Sequence, residues 1–502
     1  MKKAVSFAVF VVIFLITNQN KEKVESVDTE ILTETLKQVG LPLLTIETID
    51  GQLPTCQKII RPEGCKGHSI VNATKVPGRL RISNGDSLLY DSGDYNAGSN
   101  GITFRIRGNT SAYYGVKKPY KIKLQKKADL LLRGNDSVFA DKNWLLIKDA
   151  SLKFLIGFKV NELLQLQWTP AFRYVNVVIN GRYAGVYMMV ESVSRNKNCR
   201  LNIDKQGFIF EYDAYWWKEQ LYEKSTLGRW PMNYTIKYPD TKDITHEQID
   251  YFSQMIRQME QSLKNGNYSD YIDIESFARW ILAHDIIGGS DSNGSNYFFT
   301  KYDSTNQSKI LMANLWDFDH VFFREDKWDG CHNIGCFHWL FNNRNNEFVE
   351  MYKTVWKSIS DTVFDEIISY LDDFASSEEA AALSKSIELD NKKYGTKNDV
   401  DASIEIAKNW FLTRQKWLTS AIPAIKPTHQ IAVETIGCGT INVADFAKEG
   451  GMVGWCAIAD DGYEFVAATI DDVDLTDSTF VMPTHNVLIK AIFQNLDSCA
   501  VH

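Results

Sequence analysis

Beyond Ile16 no stretch of this chain is apolar for long enough to cross a bilayer, and positive charge is not in excess anywhere except one short segment. The 55 Lys and Arg residues are outnumbered by 63 Asp and Glu, a formal charge of −8. That balance argues against a general nucleic-acid-binding role, because a phosphate-binding surface needs clustered cations. Familiar catalytic signatures are also missing. There is no Walker A loop, no G-x-G-x-x-G and no G-x-S-x-G elbow, and His246-Glu247 lacks the second histidine a zincin needs.

At the N-terminus Lys2 and Lys3 precede an apolar run from Ala4 to Ile16, with polar residues from Thr17 to Lys23. Residues 1–20 therefore read as a signal peptide, and the chain as exported to the periplasm, cell surface or medium. No clean small-x-small cleavage site follows, so an uncleaved anchor stays open. No cysteine sits just after the run, which disfavours a bacterial lipoprotein. The eight cysteines suit an oxidising compartment. Cys56 with Cys65, Cys331 with Cys336 and Cys438 with Cys456 are near enough in sequence to close small disulfide loops; Cys199 and Cys499 are left over. A mixture of free and bridged thiols is the competing reading. The segment Cys331 to His338 matches no standard zinc spacing, and an oxidised loop is favoured there over a metal.

A length of 502 residues implies two or three domains. Residues 28–100 read as a β region, with runs such as Leu44–Ile49 and Arg79–Ile82. Strands are expected at Thr103–Arg107, Tyr120–Leu124 and Asn143–Lys148, then a helix around Leu152–Leu166. Asn180-Gly181 between Tyr174–Ile179 and Ala184–Glu191 is a hairpin signal. From His246 to Leu263 the apolar residues Ile249, Phe252, Ile256, Met259 and Leu263 step by three and four, as one buried helical face does. Ile274–Ile287 continues the pattern, a strand pair at Asn296–Lys301 and Lys309–Leu315 interrupts it, and helices resume from Phe348 to about Ile422. The order is α+β and two-lobed, spanning 101–425. Pro423 and Pro427 mark a boundary, and residues 428–495 read as a small all-β module.

Three polar clusters each lie beside an expected strand. The first is Arg105 to Thr110 with Lys117 to Leu124, within a run of six lysines in eleven residues. Gly108 can make a tight loop whose N–H groups face an anion. On a strand Lys121 and Lys123 share one face, which suits a polyanion such as triphosphate; a solvated lysine-rich strand is the bland alternative. The second is His284 to Phe299, where Asp291 and Asn296 have the spacing that kinase catalytic loops give a base aspartate and a metal-binding asparagine. Asx-type turn bonding would equally explain those residue types. The third is Asn314 to Phe322, in which Asp317 and Asp319 are expected on one face of a strand end among large apolar residues. Two like charges there are costly unless a cation binds beside them, and hard divalent ions take carboxylate oxygens. Lysines, then a D-x4-N loop, then an acidic pair is the order phosphoryl transfer on a kinase-like scaffold needs.

With these residues in hand the chain resembles the spore coat protein H (CotH) kinase family. The resemblance is carried by Arg107-Gly108-Asn109-Thr110, Lys117 to Leu124, Asn143 to Asp149, Val178 to Tyr187 with Glu191, Ile236 to Asp240, Asp291 to Phe299 and Trp316 to Asp319. It implies an atypical protein-kinase-like fold using ATP and Mg²⁺ or Mn²⁺. By that resemblance Lys123 would contact the phosphates, with Lys121, Lys118 and Arg107 nearby, and Glu191 would orient a lysine. Asp291 would accept the substrate hydroxyl proton, while Asn296 and Asp317 hold the metal and Asp319 is a supporting or alternate ligand. Lys121 against Lys123, and Asp317 against Asp319, stay open. Ser295 stands where the family often has a second asparagine.

Residues Gly462-Tyr463-Glu464-Phe465 and Thr479 to Phe493 resemble the divergent β repeat of internalin-type surface proteins. That resemblance implies a structural module, with a cell-surface or cell-wall partner as one expectation. The leading expectation is therefore an exported kinase acting on Ser or Thr hydroxyls of extracytoplasmic proteins, its protein substrate unknown. A surface binding protein using the kinase fold as scaffold, and AMP transfer at the same residues, are the alternatives.

Overall fold

A computed structural model describes residues 34–65, 70–109, 111–112, 115–148, 150–228, 232–289, 295–322, 324–328 and 330–496. The expected signal segment and Asp291 lie outside the described residues. Among the described residues no helix is long and apolar enough to cross a membrane.

The first ten strands are β1 (Leu43–Thr48), β2 (Cys56–Ile59), β3 (Ile70–Ala73), β4 (Val76–Asn84), β5 (Ser87–Asp91), β6 (Ile102–Ile106), β7 (Tyr120–Ala128), β8 (Asp141–Ile147), β9 (Phe172–Ile179) and β10 (Arg182–Glu191). Eight of them form one sheet in the order β1-β9-β10-β8-β7-β6-β4-β5. Because β1 pairs with both β9 and β4, the sheet closes into a barrel and loses most of its edges. The expected boundary near Gly101 falls inside this barrel, since β4 pairs with β6 across it. Alternation along the strands fills two cores at once. Trp144 and Leu146 point into the barrel with Phe104, Ile122 and Tyr187, while Leu145 and Ile147 point outward into a larger core. The β9–β10 turn is the expected one: Asn180 (φ 49°) and Gly181 (φ 73°) both adopt the left-handed backbone that a tight hairpin requires.

A second, antiparallel sheet packs against that outer core. It consists of β11 (Phe208–Asp213), β12 (Tyr222–Lys224), β13 (Asn233–Tyr238), β14 (Tyr297–Lys301) and β15 (Ile310–Met312), in the order β12-β13-β11-β14-β15. The helix His246–Asn265 covers it with Phe252, Met255, Ile256 and Met259. That helix starts in a capping box of Thr245 with Gln248 and stops at Gly266, whose φ of 85° an L side chain resists. Helix Ile274–Ile287 is buried along nearly its whole length, and helices from Glu347 to Ala421 complete the unit.

The C-terminal module holds β16 (Thr428–Ile436), β17 (Gly439–Val443), β18 (Phe446–Lys448), β19 (Met452–Ala459), β20 (Tyr463–Ile470), β21 (Val473–Asp474), β22 (Thr479–Val481) and β23 (Val487–Asn495). Its first and last long strands, β16 and β23, run parallel side by side. Ile431, Val453, Met482, Ile489 and Phe493 are among the residues of its core.

The disulfides expected from sequence proximity do not form: all seven described cysteines are thiols. Register explains two cases. Cys56 pairs with Ala73 at one end of the β2–β3 hairpin, whereas Cys65 lies in the connection beyond its other end. Cys456 faces Asn442, four residues along the strand from Cys438, roughly 13 Å at strand rise. Cys331 and Cys336 are both buried, Cys331 beside the Gly289 carbonyl and Cys336 at the start of helix Gly335–Phe341.

Candidate active site

Between the barrel and the second sheet lies a polar cavity of about 790 Å³, within the range of small-molecule sites. Strand β6 supplies Arg105 to it, the residue just beyond its end supplies Arg107, and β7 supplies Lys121. Gly108 and Asn109 form its loop edge, and the φ of 86° at Gly108 is the turn that the sequence anticipates. Asn296, Asp317 and Asp319 line it as well. Five residues singled out from sequence therefore share one cavity: Arg107, Lys121, Asn296, Asp317 and Asp319.

Three others lie outside it. Lys123 is exposed on β7 and is not part of the lining, so the cavity takes Lys121 from the strand. Glu191 lies deep in the protein at 1% exposure, where it accepts Arg133 Nη2 at 2.9 Å and the Ala171 N–H at 3.1 Å. It orients an arginine, not a lysine of the cavity. Lys118 donates to the Ala112 carbonyl at 2.7 Å and also stands outside the lining.

Asp317 and Asp319 are not on a strand. β15 ends at Met312, and the following backbone is held by side chains instead: the Leu315 N–H donates to Asn161 Oδ1 at 2.8 Å. Asp317 has a φ of 69° and Asn296 one of 72°, conformations that cost energy in a non-glycine residue and concentrate at functional sites. What fixes the acidic pair is the residue between them. Phe318 is 1% exposed and packs edge-on against Phe154 and Phe158 at 5.2 and 5.4 Å between ring centres. Gly157 makes room for it, since a Cβ there would lie 2.2 Å from the ring.

Burial lowers the proton affinity of Arg107, opposed by the attraction of Asp317 and Asp319. Burial also lowers Lys121, together with repulsion from Arg105, Arg107 and Lys123, to about 8. Cations crowded and desolvated in this way are poised for an anion that restores their balance.

Sequence reading missed a second charged group on the same cavity. Glu211 and Asp213 sit two apart on β11 and so share a face, and Lys237 comes from β13. A bulge leaves Lys237 without a cross-strand partner, because Phe210 pairs with Ile236 and Ile209 with Tyr238. Its ammonium lies 2.9 Å from Glu211 and 3.4 Å from Asp213. Burial would lower Lys237, but Glu211, Asp213 and Glu219 outweigh it and raise it well above the ordinary lysine value. Burial and Asp213 raise the Glu211 carboxyl, with Lys237 and the Asn296 N–H acting against them. The two carboxylates also fasten the segment that bears Asn296. Asn296 N–H donates to Glu211 at 2.8 Å and the Ser295 hydroxyl to Asp213 at 3.0 Å. The signal was the alternation of Phe210, Glu211, Tyr212 and Asp213 in a strand otherwise apolar.

The helix end leading toward Asp291 is tied down as firmly. Asp285 is fully buried, accepting the Tyr352 hydroxyl at 2.7 Å and lying 2.9 Å from His332 Nε2. Arg414, also fully buried, donates to the Asp285 carbonyl and to those of Arg324, Glu325 and Lys327. It thus joins the helix Ile274–Ile287 to the loop that follows Asp317 and Asp319.

The residues fit a divalent cation by donor chemistry: two carboxylates and an amide oxygen are hard ligands, set beside cations that can take phosphate oxygens. Comparison with curated proteins returned no match. Two family profiles do match: that of the divergent InlB B-repeat domain over residues 429–496, and that of the CotH kinase protein over residues 104–418, more than half the chain. The chain therefore belongs to the CotH kinase family.

Proposed function

We propose that this protein is an exported kinase that transfers the γ-phosphate of ATP to Ser or Thr hydroxyls of proteins outside the cytoplasm. The observation that carries this reading is the convergence of Arg107 and Lys121 with Asn296, Asp317 and Asp319 on one cavity. Arg107 and Lys121, with Arg105 and Lys148 around them, bind the phosphates. Asn296, Asp317 and Asp319 would hold Mg²⁺ or Mn²⁺, which supplies neutralisation of charge on the transferring phosphoryl group. Asp291 takes the acceptor's proton. The membership in a kinase family supports ATP as the donor, and the N-terminal apolar run supports export.

The match to the InlB B-repeat domain favours one addition: the module at 429–496 holds the kinase to a cell-surface or cell-wall partner. Incubation with γ-labelled ATP, metal and casein, beside an Asp291→Ala control, tests the activity. Label on casein or on the protein, lost in the control, is the expected result. Absence of label together with absence of any thermal shift by ATP and metal would leave a surface binding protein. Label from α-labelled ATP alone would mean AMP transfer.

A further inference from the structure

A second cavity of about 480 Å³ adjoins the first, and the two share Gly115, Lys148 and Asp319. Its walls come from the segment before β7, the start of helix Leu152–Leu163, and the facing ends of helices Glu378–Tyr394 and Val400–Ala421. Val116, Leu152, Val186, Ile387 and Val400 give it an aliphatic lining.

Its interior charges are already matched. Lys117 Nζ lies 2.9 Å from Asp390 Oδ1 and donates to the Val186 carbonyl at 2.6 Å, and the Val186 N–H donates back to Asp390 at 3.0 Å. Asp399 caps the next helix through the Ala402 N–H at 2.8 Å. A half-buried cation so paired offers a phosphate little, because attraction to a new anion must compete with the carboxylate in contact. The aliphatic wall is what remains for a ligand to use. The neck toward the first cavity differs. There Lys148 reaches the Ser111 carbonyl at 3.4 Å, and its ammonium is packed so near Gly115 that a Cβ on that residue would lie 2.5 Å away.

We infer that this second cavity is the acceptor site, seating an aliphatic side chain of a polypeptide whose neighbouring hydroxyl enters the neck beside Lys148 and Asp319. This assignment rests on the kinase reading of the first cavity. The hydroxyl oxygen forms the new O–P bond to the γ-phosphorus, the bond from that phosphorus to the β–γ bridging oxygen breaks, and ADP leaves with the electron pair. On the kinase reading the hydroxyl proton passes to Asp291. The cavity makes the preferred acceptor a Ser or Thr next to a leucine-like residue.

The test uses the full chain and two short fluorescent peptides, one with a single serine flanked by leucines and one with the leucines replaced by aspartates. Ser403→Trp narrows the cavity, and Val116→Asp places a charge on its rim, where at 87% exposure the change is expected to leave the fold intact. Peptide binding by anisotropy and nucleotide binding by titration are read separately. The leucine peptide is expected to bind the unaltered chain at least about tenfold more tightly than the aspartate peptide, and to lose about tenfold in both variants with nucleotide affinity unchanged. Equal binding of the two peptides, binding of neither, unchanged peptide affinity in both variants, or a parallel loss of nucleotide affinity would overturn the assignment. Failure of the kinase reading looks different: cavity-dependent binding of the leucine peptide with no label transferred from ATP.

Discussion

The kinase unit and the C-terminal module solve the same problem of burying a core in opposite ways. The first buries charged residues throughout, among them Asp129, Glu191, Glu211, Asp285, Asp390 and Arg414. Among the described residues of the module no charged side chain is buried, and its core is apolar. Buried charge is costly and must be matched by partners, so a fold retains it where it must hold particular atoms in particular places. In the kinase unit Glu211, Asp285 and Arg414 hold the residues on either side of the segment containing Asp291 and the loop after the acidic pair, while Asp129 and Glu191 are matched by Arg133 and Asp390 by Lys117. Among the described residues of the module no buried charge holds a segment in this way.

Four changes probe that contrast. Arg414→Met leaves four carbonyls without their donor and should cost about 3 kcal/mol or more, with loss of phosphate transfer, read by denaturant unfolding and labelled ATP. Ile489→Ala in the module should cost a similar roughly 2–4 kcal/mol in the module's own transition, yet leave transfer unchanged. A fall in activity there would mean that the two regions are coupled.

Gly157→Ala forces the Phe318 ring to move and should cost about 1–3 kcal/mol. Because Phe318 carries Asp317 and Asp319, activity should fall further than the loss of stability explains, measured as the rate at a temperature where the variant is fully folded.

The smallest effect is a pH dependence. Lys121, lowered to about 8, loses its proton in the folded protein while an unfolded lysine keeps it to about 10.4. Between those values the unfolded chain binds more protons, so stability from this group rises with pH across that window. Nucleotide affinity should move the other way, falling a few-fold from pH 7 to 9 as the cation is lost. Lys121→Arg should abolish that fall, since a guanidinium stays protonated.

Local signals made much of this legible in sequence. The Asn180-Gly181 turn and the amphipathic helix from His246 each depend on neighbouring residues alone, and the structure holds both. Barrel closure was not legible, because β1 pairs in parallel with β9 more than a hundred residues away and nothing local encodes that register. The site divides likewise. Asp317 and Asp319 stood out as carboxylates in an apolar setting, whereas Glu211 and Asp213 were disguised by a strand that looked like core. Lys121 and Lys123 are equivalent by period, and only the place of the cavity along β7 distinguishes them, Lys121 lining it and Lys123 lying exposed. The cysteine pairs misled because nearness in sequence is not nearness across a sheet.

The parallel contact of β16 with β23 has a mechanical consequence. The module's chain enters at one end of this strand pair and leaves at the other, so tension between Thr428 and Asn495 slides the strands along each other. The six register pairs from Ile431–Val487 to Ile436–Ile492 then carry the load together instead of parting one at a time. A module tethered by its ends would resist stretching until the whole ladder fails.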